Sequence, residues 1–443
     1  MMHSVFIFLF LVLTVTASSQ SFHPIPEVQD PVLFNSQLQY TASLLHKKNS
    51  QVRVLVYGQS ISEQDWWKEV RSFFEKSYPD VDLVFENSAI GGFSSERLKI
   101  TTENDIISFY PDLVLFHDYG NEEDYERIIS IIKSKTTADI AIQTDHMALQ
   151  DQMWHDRHGD VWLPELCRKY GLALLDVRRY WKLYLQENDL KITDLLTDGV
   201  HLNDHGNYVM AETIKAYFSN LKQDSVGDNR LTTLKRGKDF LIDNGSITLS
   251  FTGNRVDVSM DKPGQIDVLL DNAPLHSNKG CYYYTRPALK STGAFLTKIG
   301  SLIAVDLSGK PQEEDWSLKV LSVDSMKQLV EFSLYGTKTG EDGTGESSKR
   351  FTSKSGRITI QPNAWFVRRH NGDFAQHSWI KPGDVIQWQT KSMCRTSAVL
   401  SGSATETLLQ GVSNTRHQLK ISGPGASFIN EIIVYTPMLK HSR

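Results

Sequence analysis

The sequence predicts an α/β domain with a three-layer, doubly wound sheet of about five parallel strands, followed by an all-β domain of the sandwich or jelly-roll type. Between residues 52 and 221, short apolar runs alternate with stretches whose apolar residues recur every three or four positions, as in strands that alternate with helices. After residue 238 the apolar period becomes two, which is typical of antiparallel strands. A polar stretch separates the two patterns.

Length and charge limit the function classes. With 443 residues, of which 40% are hydrophobic, the chain is long enough to bury two cores. Its formal net charge is -5 and it has no long basic run, so the electrostatic footprint of a nucleic-acid-binding protein is absent from the sequence. We therefore expect no nucleic-acid partner, and a neutral or weakly acidic small-molecule or polysaccharide substrate instead.

The first 20 residues read as a targeting segment. An apolar run over residues 5–15 is followed by small residues typical of a signal-peptide cleavage site. No Lys or Arg precedes the run, so a membrane anchor is the alternative, but the run is short for a bilayer span. We predict a signal peptide over residues 1–20, a secreted or periplasmic protein, and no membrane insertion after cleavage.

The α/β domain is predicted over residues 21–221, where five strands alternate with helices. A helical lead-in is expected over residues 34–47. The expected strands span residues 52–58, 81–86, 113–117, 139–144 and 172–177. The expected helices span residues 61–74, 95–109, 122–135 and 161–170, with a closing helix that begins near Asn203 or Asp204.

The first strand places a serine where open α/β sheets bind ligands. Residues 52–57 are mostly apolar, as expected for a central strand that is buried on both faces. Gly58 then allows a sharp turn, because it lacks a Cβ. Ser60 is therefore predicted at the carboxyl end of a strand and near the amino end of a helix.

The second half is predicted as a linker over residues 222–237 and an all-β accessory domain over residues 238–443. Turn sequences at 261–264 and 381–384 separate runs of alternating apolar residues. Residues 336–349 are rich in Gly, Thr, Ser and charge, and we expect a surface loop there. Three tryptophans are candidates either for the core or for a face that stacks on sugars: Trp365, Trp379 and Trp388.

The three cysteines are too few for a secreted disulfide scaffold and lack the spacing of a metal site. Cys281 and Cys394 both lie in the second half, and they can pair if the fold brings them together. Free, buried thiols at these positions and at Cys167 are the alternative.

A candidate base for Ser60 lies just before the closing helix. Asp198 and His201 are three residues apart in a loop that contains a glycine. Such a loop can let the carboxylate accept the Nδ1–H of the imidazole, so that Nε2 faces the serine and takes its proton. Taken alone, this pattern is more often a helix-capping turn with a solvated histidine.

Candidate oxyanion donors follow the second and third strands. Gly92 can offer its backbone N–H, and Asn121 its side-chain amide. The carboxyl ends of parallel strands meet at one edge of the sheet, so these donors are expected beside Ser60. Each residue taken alone would be read as a turn residue.

These four segments resemble the four sequence blocks of the SGNH hydrolases, also called GDSL esterases. The matching residues are Gly58-Gln59-Ser60, Gly92, Gly120-Asn121, and Asp198 with His201. The resemblance covers residues 52–221 and implies that Ser60 is the nucleophile, His201 the general base and then acid, and Asp198 the residue that orients His201. It also implies an oxyanion hole of the Ser60 and Gly92 N–H groups and the Asn121 amide.

Two departures from the family pattern bear on the substrate. Gln59 stands where the family usually has Asp, and Glu122 follows Asn121 where Asp is common. A Gly-Gln-Ser start is similar to that of some secreted sialate and plant-polysaccharide acetylesterases, which implies an acylated sugar as substrate. The strands after residue 255 are similar to β modules appended to secreted carbohydrate esterases.

A histidine-rich segment offers a different chemistry. His146, His155 and His158, with Asp145 and Asp151, are residue types that hold zinc in metal hydrolases. Their spacing matches no common zinc pattern, so we predict no metal and no cofactor. We expect a substrate-facing loop whose Trp154 and His155, together with Gln59 beside Ser60, contact the substrate. The histidines of the loop are otherwise expected on the surface.

The prediction is therefore a secreted serine esterase that removes acetyl or another short acyl group from a carbohydrate. A lipid-ester hydrolase with the same site is one alternative, against which the polar and charged residues 145–160 argue. A non-catalytic glycan-binding protein is the other, and it predicts that Ser60 and His201 do not meet.

Overall fold

A computed structural model of the protein describes residues 22–28, 32–223, 229–290, 302–324, 326–365, 380–402 and 405–439. The predicted signal peptide, residues 1–20, and Trp379 lie outside these ranges. Within them, no helix has both the length and the apolar character that crossing a bilayer requires.

The α/β domain contains a five-stranded parallel sheet with the order β2-β1-β3-β4-β5. This confirms the predicted doubly wound sheet. Since β1 lies between β2 and β3, the loops that follow these three strands lie side by side at one edge. The strands are β1 Gln51–Gly58, β2 Asp82–Asn87, β3 Leu113–His117, β4 Asp139–Gln143 and β5 Ala173–Leu175.

Helices cover both faces of the sheet. The predicted strand 113–117 and the predicted helices 95–109 and 122–135 agree with the structure in their bounds. The predicted helix 61–74 is instead two helices, because the backbone at Gln64 is extended. The helix over residues 177–187 was not predicted. The helices are α1 Val32–Gln37, α2 Gln39–Leu45, α3 Ser60–Glu63, α4 Trp66–Ser77, α5 Ser95–Phe109, α6 Glu122–Lys135, α7 Gln152–Arg157, α8 Leu163–Tyr170, α9 Val177–Glu187 and α10 Asp204–Ser219.

Strand β1 is buried on both faces, as its apolar sequence predicts. Val54 and Val56 pack in one apolar core with residues of α4, α9 and α10. Leu55 and Tyr57 point to the opposite face and pack in a second core with residues of α5, α6 and α8. The chain that follows β1 is therefore held from both sides before it reaches Ser60.

The described part of the second domain is built from antiparallel sheets, as predicted. A seven-stranded sheet has the order β19-β8-β20-β7-β21-β6 with β9 beside β8, a six-stranded sheet the order β10-β18-β13-β14-β15 with β11 beside β18, and a three-stranded sheet the order β12-β17-β16. The strands are β6 Leu231–Lys235, β7 Ser246–Met260, β8 Gly264–Leu270, β9 Ala273–Pro274, β10 Tyr282–Tyr284, β11 Ala288–Leu289, β12 Asp306–Leu307, β13 Glu314–Asp324, β14 Leu329–Gly336, β15 Gly340–Glu346, β16 Phe351–Thr352, β17 Ile358–Ile360, β18 Val385–Ser392, β19 Ser397–Leu400, β20 Glu406–Ser422 and β21 Ile429–Tyr435.

Two segments that were predicted to be irregular are strands. Strand β6 lies inside the predicted linker 222–237 and pairs with β21, so the sheet begins before residue 238. Strand β15 lies inside the predicted surface loop 336–349 and pairs with β14. The prediction of a loop at residues 336–349 is therefore wrong. The strand contains glycine because the ring of Phe351 covers it, and a Cβ at Gly345 would lie 2.6 Å from that ring.

The two domains pack closely. One apolar core contains residues of α5 and α6 together with Tyr284 and Trp316 of the six-stranded sheet. In the second domain Trp365 and Trp388 are buried, as in the core alternative, and Cys281 and Cys394 form a disulfide. Cys167 is a free, buried thiol.

Candidate active site

The end of β1 turns at Gly58 and presents Ser60 at the first residue of α3. Gly58 has φ +143°, and a Cβ there would lie 1.8 Å from the carbonyl oxygen of His117 on the neighbouring strand β3. Only glycine fits this close approach. The side chain of Gln59 caps α3 by accepting the N–H of Ile61, at 3.2 Å.

The three residues of the predicted triad lie in hydrogen-bond contact. Nε2 of His201 is 3.0 Å from Oγ of Ser60, and Nδ1 of His201 is 2.8 Å from Oδ2 of Asp198. The other carboxylate oxygen of Asp198 accepts the N–H groups of Val200 and His201, each at 2.7 Å. The hydrogen bonds from the backbone and the side chain of His201 lower the pKa of Asp198 to about 2, so this carboxylate is ionised at neutral pH.

A buried histidine, His146, supports the loop that carries Asp198 and His201. His146 is fully buried, and its Nε2–H donates to the carbonyl of Val200 at 2.7 Å. Burial lowers the pKa of His146 to about 4, so the imidazole is neutral. The helix cap of α10 is supplied by Asn203, which accepts the N–H of Gly206, and not by Asp198. The carboxylate of Asp198 is thus directed to His201.

Two of the predicted oxyanion donors are backbone N–H groups. Gly92 has φ +76° in an exposed turn that is closed by a hydrogen bond of 3.1 Å from Phe93 N to Ile90 O. The preceding N–H, of Gly91, donates to the carboxylate of Glu63 at 2.8 Å. Within the described ranges, neither the N–H of Gly92 nor that of Ser60 has a hydrogen-bond acceptor, so both are available to a ligand.

The third predicted donor, Asn121, also caps a helix. Its Oδ1 accepts the N–H groups of Glu123 and Asp124 at 2.9 and 3.2 Å, at the start of α6. Its backbone N–H donates to Glu96 at 3.1 Å. The cap uses the side-chain oxygen, and the Nδ2 group donates to no residue that the structure describes.

Behind Ser60 lies a buried chain of hydrogen bonds. Oε1 of Gln59 accepts the hydroxyl of Ser60 at 2.8 Å, and Nε2 of Gln59 lies 3.2 Å from Nδ1 of His117. Nε2 of His117 lies 3.0 Å from Oδ1 of Asp145. Because the amide nitrogen of Gln59 can only donate, Nδ1 of His117 accepts and its Nε2–H donates to Asp145. His117 therefore links Asp145 to Gln59.

Asp145 is the centre of the histidine-rich segment. Burial raises the pKa of its carboxyl group, but hydrogen bonds from His117, His155 and His158 outweigh burial and hold that pKa well below its ordinary value. His155 Nδ1 is 2.7 Å from Oδ2 of Asp145. His146, His155 and His158 are all buried, so the prediction of surface positions for them is wrong. An ionised carboxylate inside the domain attracts two of them, and Trp181 packs on the third.

Most of the side chains that were predicted to contact substrate instead contact other residues of the protein. Gln59 and His155 are buried and bonded as described above, while Trp154 is half-buried and stacks on His158 at 4.5 Å. In the described ranges, no three His, Cys, Asp or Glu side chains are arranged to hold a metal ion. The supposed zinc ligand His146 instead binds the loop of His201.

Three side chains near the site were not predicted. His117 accepts a hydrogen bond from Gln59, and Glu63 accepts one from the N–H of Gly91. No sequence motif indicates either contact. The third is Leu149, which is 49% exposed and lies beside Gly199, whose carbonyl accepts its N–H at 2.9 Å. Met153, on the same segment, is 86% exposed. The segment that was expected to be polar thus presents apolar side chains to solvent.

No known protein-family model and no curated protein matches the chain. Among solved structures, a two-domain esterase active on acetylated mannans, co-crystallised with mannopentaose, is similar over 92% of this chain and 96% of its own, with 13% identity and a TM-score of 0.37. A catalytic mutant of an acetylxylan esterase from Geobacillus stearothermophilus is similar over 40% of this chain and 97% of its own, with 17% identity and a TM-score of 0.34.

An alpha/beta hydrolase enzyme from the metagenome of Lake Arreo, Spain, is similar over 41% of this chain and 100% of its own, with 18% identity and a TM-score of 0.35. The first match spans both domains of this chain, and the other two span less than half of it. At such identities and TM-scores, the reaction and the substrate of this chain have to be argued from its own residues.

Proposed function

We propose that the protein is a serine esterase that hydrolyses acetyl or other short acyl esters of a carbohydrate. The observation that carries this proposal is the 3.0 Å contact between Nε2 of His201 and Oγ of Ser60, with Asp198 on the opposite side of the imidazole. An alcohol is a weak nucleophile at neutral pH, and a neutral imidazole in this position can take its proton. The ionised Asp198 stabilises the imidazolium that forms.

The reaction has two halves. Oγ of Ser60 attacks the acyl carbon as its proton moves to His201, and the resulting oxyanion accepts hydrogen bonds from the N–H groups of Ser60 and Gly92 and from the Asn121 amide. The C–O bond to the sugar then breaks, and His201 gives the proton to the departing oxygen. In the second half, water attacks the acyl-serine, His201 takes the proton of the water, and Oγ of Ser60 receives it back as the free acid leaves.

The substrate class rests on the sequence. The Gly-Gln-Ser start at residues 58–60 is similar to that of acetylesterases that act on sugars. A lipid ester is the second candidate, because Leu149 and Met153 are exposed on the segment beside the loop of His201. The contact between Ser60 and His201 argues against a non-catalytic glycan-binding protein, which requires them to be apart.

We also propose that the protein is exported. The apolar run at residues 5–15 supports a signal peptide, and the disulfide between Cys281 and Cys394 is typical of proteins that leave the cytosol. Mass spectrometry of the N-terminus of the exported protein tests this proposal, since cleavage predicts that residues 1–20 are missing.

Release assays test the activity. p-Nitrophenyl acetate, butyrate and octanoate are compared with an acetylated polysaccharide, and Ser60→Ala is assayed in parallel. We expect release from acetate and from the polysaccharide, a decline towards octanoate, and no turnover by the variant. Preference for octanoate would favour the lipid ester, and an inert protein on all substrates would overturn the esterase.

A further inference from the structure

Arg286 reaches from the all-β domain into the α/β domain, behind the turn that carries Gly92. Its Nε and Nη2 donate to the two carboxylate oxygens of Asp105 at 3.0 and 2.8 Å. Nη2 also donates to the carbonyl of Ser88 at 2.6 Å. The side chains of Arg286 and Asp105 are 17% and 5% exposed, so the pair is largely removed from water. A buried ion pair of this kind is stable only where each group is well hydrogen-bonded.

We name residues 88–93 the oxyanion loop, because they lead from β2 to Gly92. The N–H of Ser88 donates to Val56 O, and that of Ile90 donates to Gly58 O, each at 2.9 Å. These bonds continue the pairing of β2 with β1 as far as the residues before Ser60. They use the N–H groups of the loop and leave the Ser88 carbonyl to Arg286.

We propose that Arg286 is a positioning residue for the oxyanion loop, so that the all-β domain completes the active site of the α/β domain. This inference rests on the proposed function, because it assigns the Gly92 N–H to the oxyanion. Inside the α/β domain the loop is held by its pairing with β1, by the bond from Gly91 to Glu63, and by Nη1 of Arg97, which donates to the carbonyl of Gly92 at 3.1 Å. Arg286 supplies the support from the second domain.

The partner of Arg286 connects it to the strand of the nucleophile. The hydroxyl of Tyr57 on β1 donates to Oδ2 of Asp105 at 3.1 Å, the same oxygen that accepts Nη2 of Arg286. Tyr57 is three residues before Ser60. Arg286 therefore fixes the oxyanion loop and β1 to one carboxylate, which holds the Gly92 and Ser60 N–H groups at a constant separation.

The segment around Arg286 is itself rigidly held. Asn104 on α5 donates to the carbonyl of Tyr284 at 2.8 Å and accepts its N–H at 3.0 Å. Strands β10 and β11, on either side of Arg286, both pair with β18. The disulfide at Cys281 joins the start of this segment to Cys394. Few conformations are therefore open to the guanidinium, as a positioning role requires.

A second arginine provides the matched control. Arg230 donates to Oδ1 of Asp139 at 2.7 Å and to the carbonyl of Thr137 at 3.0 Å, so it makes the same kinds of contact across the domains. Asp139 begins β4, at the edge of the sheet opposite to Ser60. Loss of Arg230 thus removes a comparable ion pair without touching the oxyanion loop.

The experiment compares Arg286→Ala and Arg230→Ala in the full-length protein. Both variants are expected to lower the Tm. Only Arg286→Ala is expected to lower kcat on p-nitrophenyl acetate, by roughly ten- to a hundredfold with KM nearly unchanged, because a misplaced oxyanion donor acts on the transition state. Guanidinium ion at millimolar concentration is expected to restore part of the kcat of Arg286→Ala and to leave Arg230→Ala as it was.

Two further measurements distinguish a positioning role of Arg286 from a general loss of folding. Arg286→Lys retains the charge but not the two-pronged contact, so an intermediate kcat is expected, and this variant serves if Arg286→Ala does not fold. Hydrogen exchange of residues 88–93 needs no turnover, and it should accelerate in the Arg286 variants and stay unchanged in Arg230→Ala. An inert wild-type protein would overturn the esterase alone. Wild-type kcat and wild-type exchange in the Arg286 variants would overturn the positioning role.

Discussion

Oγ of Ser60 lies 2.8 Å from Oε1 of Gln59, closer than the 3.0 Å that separates Oγ of Ser60 from Nε2 of His201. The single proton of the Ser60 hydroxyl thus has two acceptors, and only transfer to His201 produces a nucleophile. Gln59 is in turn fixed by the N–H of Ile61 and by His117, so its oxygen cannot turn away without losing those bonds. Gln59, which stands where the SGNH pattern usually has Asp, is therefore in direct contact with the proposed nucleophile.

A carboxylate at position 59 should impair the proposed reaction. In Gln59→Glu the new charge repels the oxyanion, and Nδ1 of His117 loses its donor, so we expect kcat to fall by about tenfold or more. Gln59→Ala leaves the site neutral and is expected to retain more activity than Gln59→Glu. The kcat of both variants on p-nitrophenyl acetate checks this, and a fully active Gln59→Glu would contradict it.

Asn121 can be tested separately as a helix cap and as an oxyanion donor. Asp is a good N-cap but its carboxylate donates no hydrogen bond, so Asn121→Asp should keep the Tm and lose about 10²- to 10³-fold in kcat. Asn121→Ala should lose the same activity and about 1 kcal/mol of the free energy of unfolding. Measurement of Tm and kcat for both variants distinguishes the two roles. Normal turnover by Asn121→Asp would remove Asn121 from the oxyanion hole.

His146 should make the fold sensitive to mild acid. Its pKa is about 4 in the folded protein and about 6.5 when unfolded, so below pH 6.5 the unfolded chain binds a proton that the folded chain does not. The free energy of unfolding should therefore decrease as the pH falls from 6.5 to 4, by about 3 kcal/mol from this residue.

The matched variant is His146→Gln, whose amide can still donate to Val200 but does not titrate. Urea denaturation of both proteins at pH 7, 5.5 and 4.5 measures the effect. As the pH falls, we expect the free energy of unfolding to decrease more for the wild type than for the variant. A difference that does not change with pH would show that His146 is not buried as a neutral group.

The disulfide should stabilise both the second domain and the site. Cys281 and Cys394 are 113 residues apart in sequence, and replacing both with Ala should cost about 2 to 4 kcal/mol of the free energy of unfolding. Because Cys281 begins the segment of Arg286, kcat should decrease as well. Denaturation and turnover of the double variant, with Cys167→Ala as the thiol control, check this. A double variant with the stability of the wild type would contradict it.

The parts of the fold that were predicted correctly have strong local patterns. The bounds of α5, α6 and β3 were each predicted from the residues of that element alone, and they agree with the structure. The predicted triad residues also lie together, because each stands in a short motif at the end of a strand or before a helix. Whether they carry the reaction stays a prediction until the variants are assayed.

The parts that were missed depend on distant pairing. The link from Gln59 to His117 exists because β1 pairs with β3 so that Gly58 lies opposite His117, a register that no local motif reveals. The histidines after β4 were expected at the surface because their segment is rich in charge, whereas Asp145 draws two of them inside. Strand β15 was missed because its glycines resemble those of a loop until the ring of Phe351 is placed over them.

The apolar core that joins α5 and α6 to Tyr284 and Trp316 makes the two halves of the chain dependent on each other. If the chain were cut at residue 221, the first half would expose the side chains that this core buries, and it should aggregate or recruit chaperones. Co-expression of the halves as separate polypeptides should restore a soluble, noncovalent complex. The second half would then act as an obligatory subunit rather than as an exchangeable module on a tether.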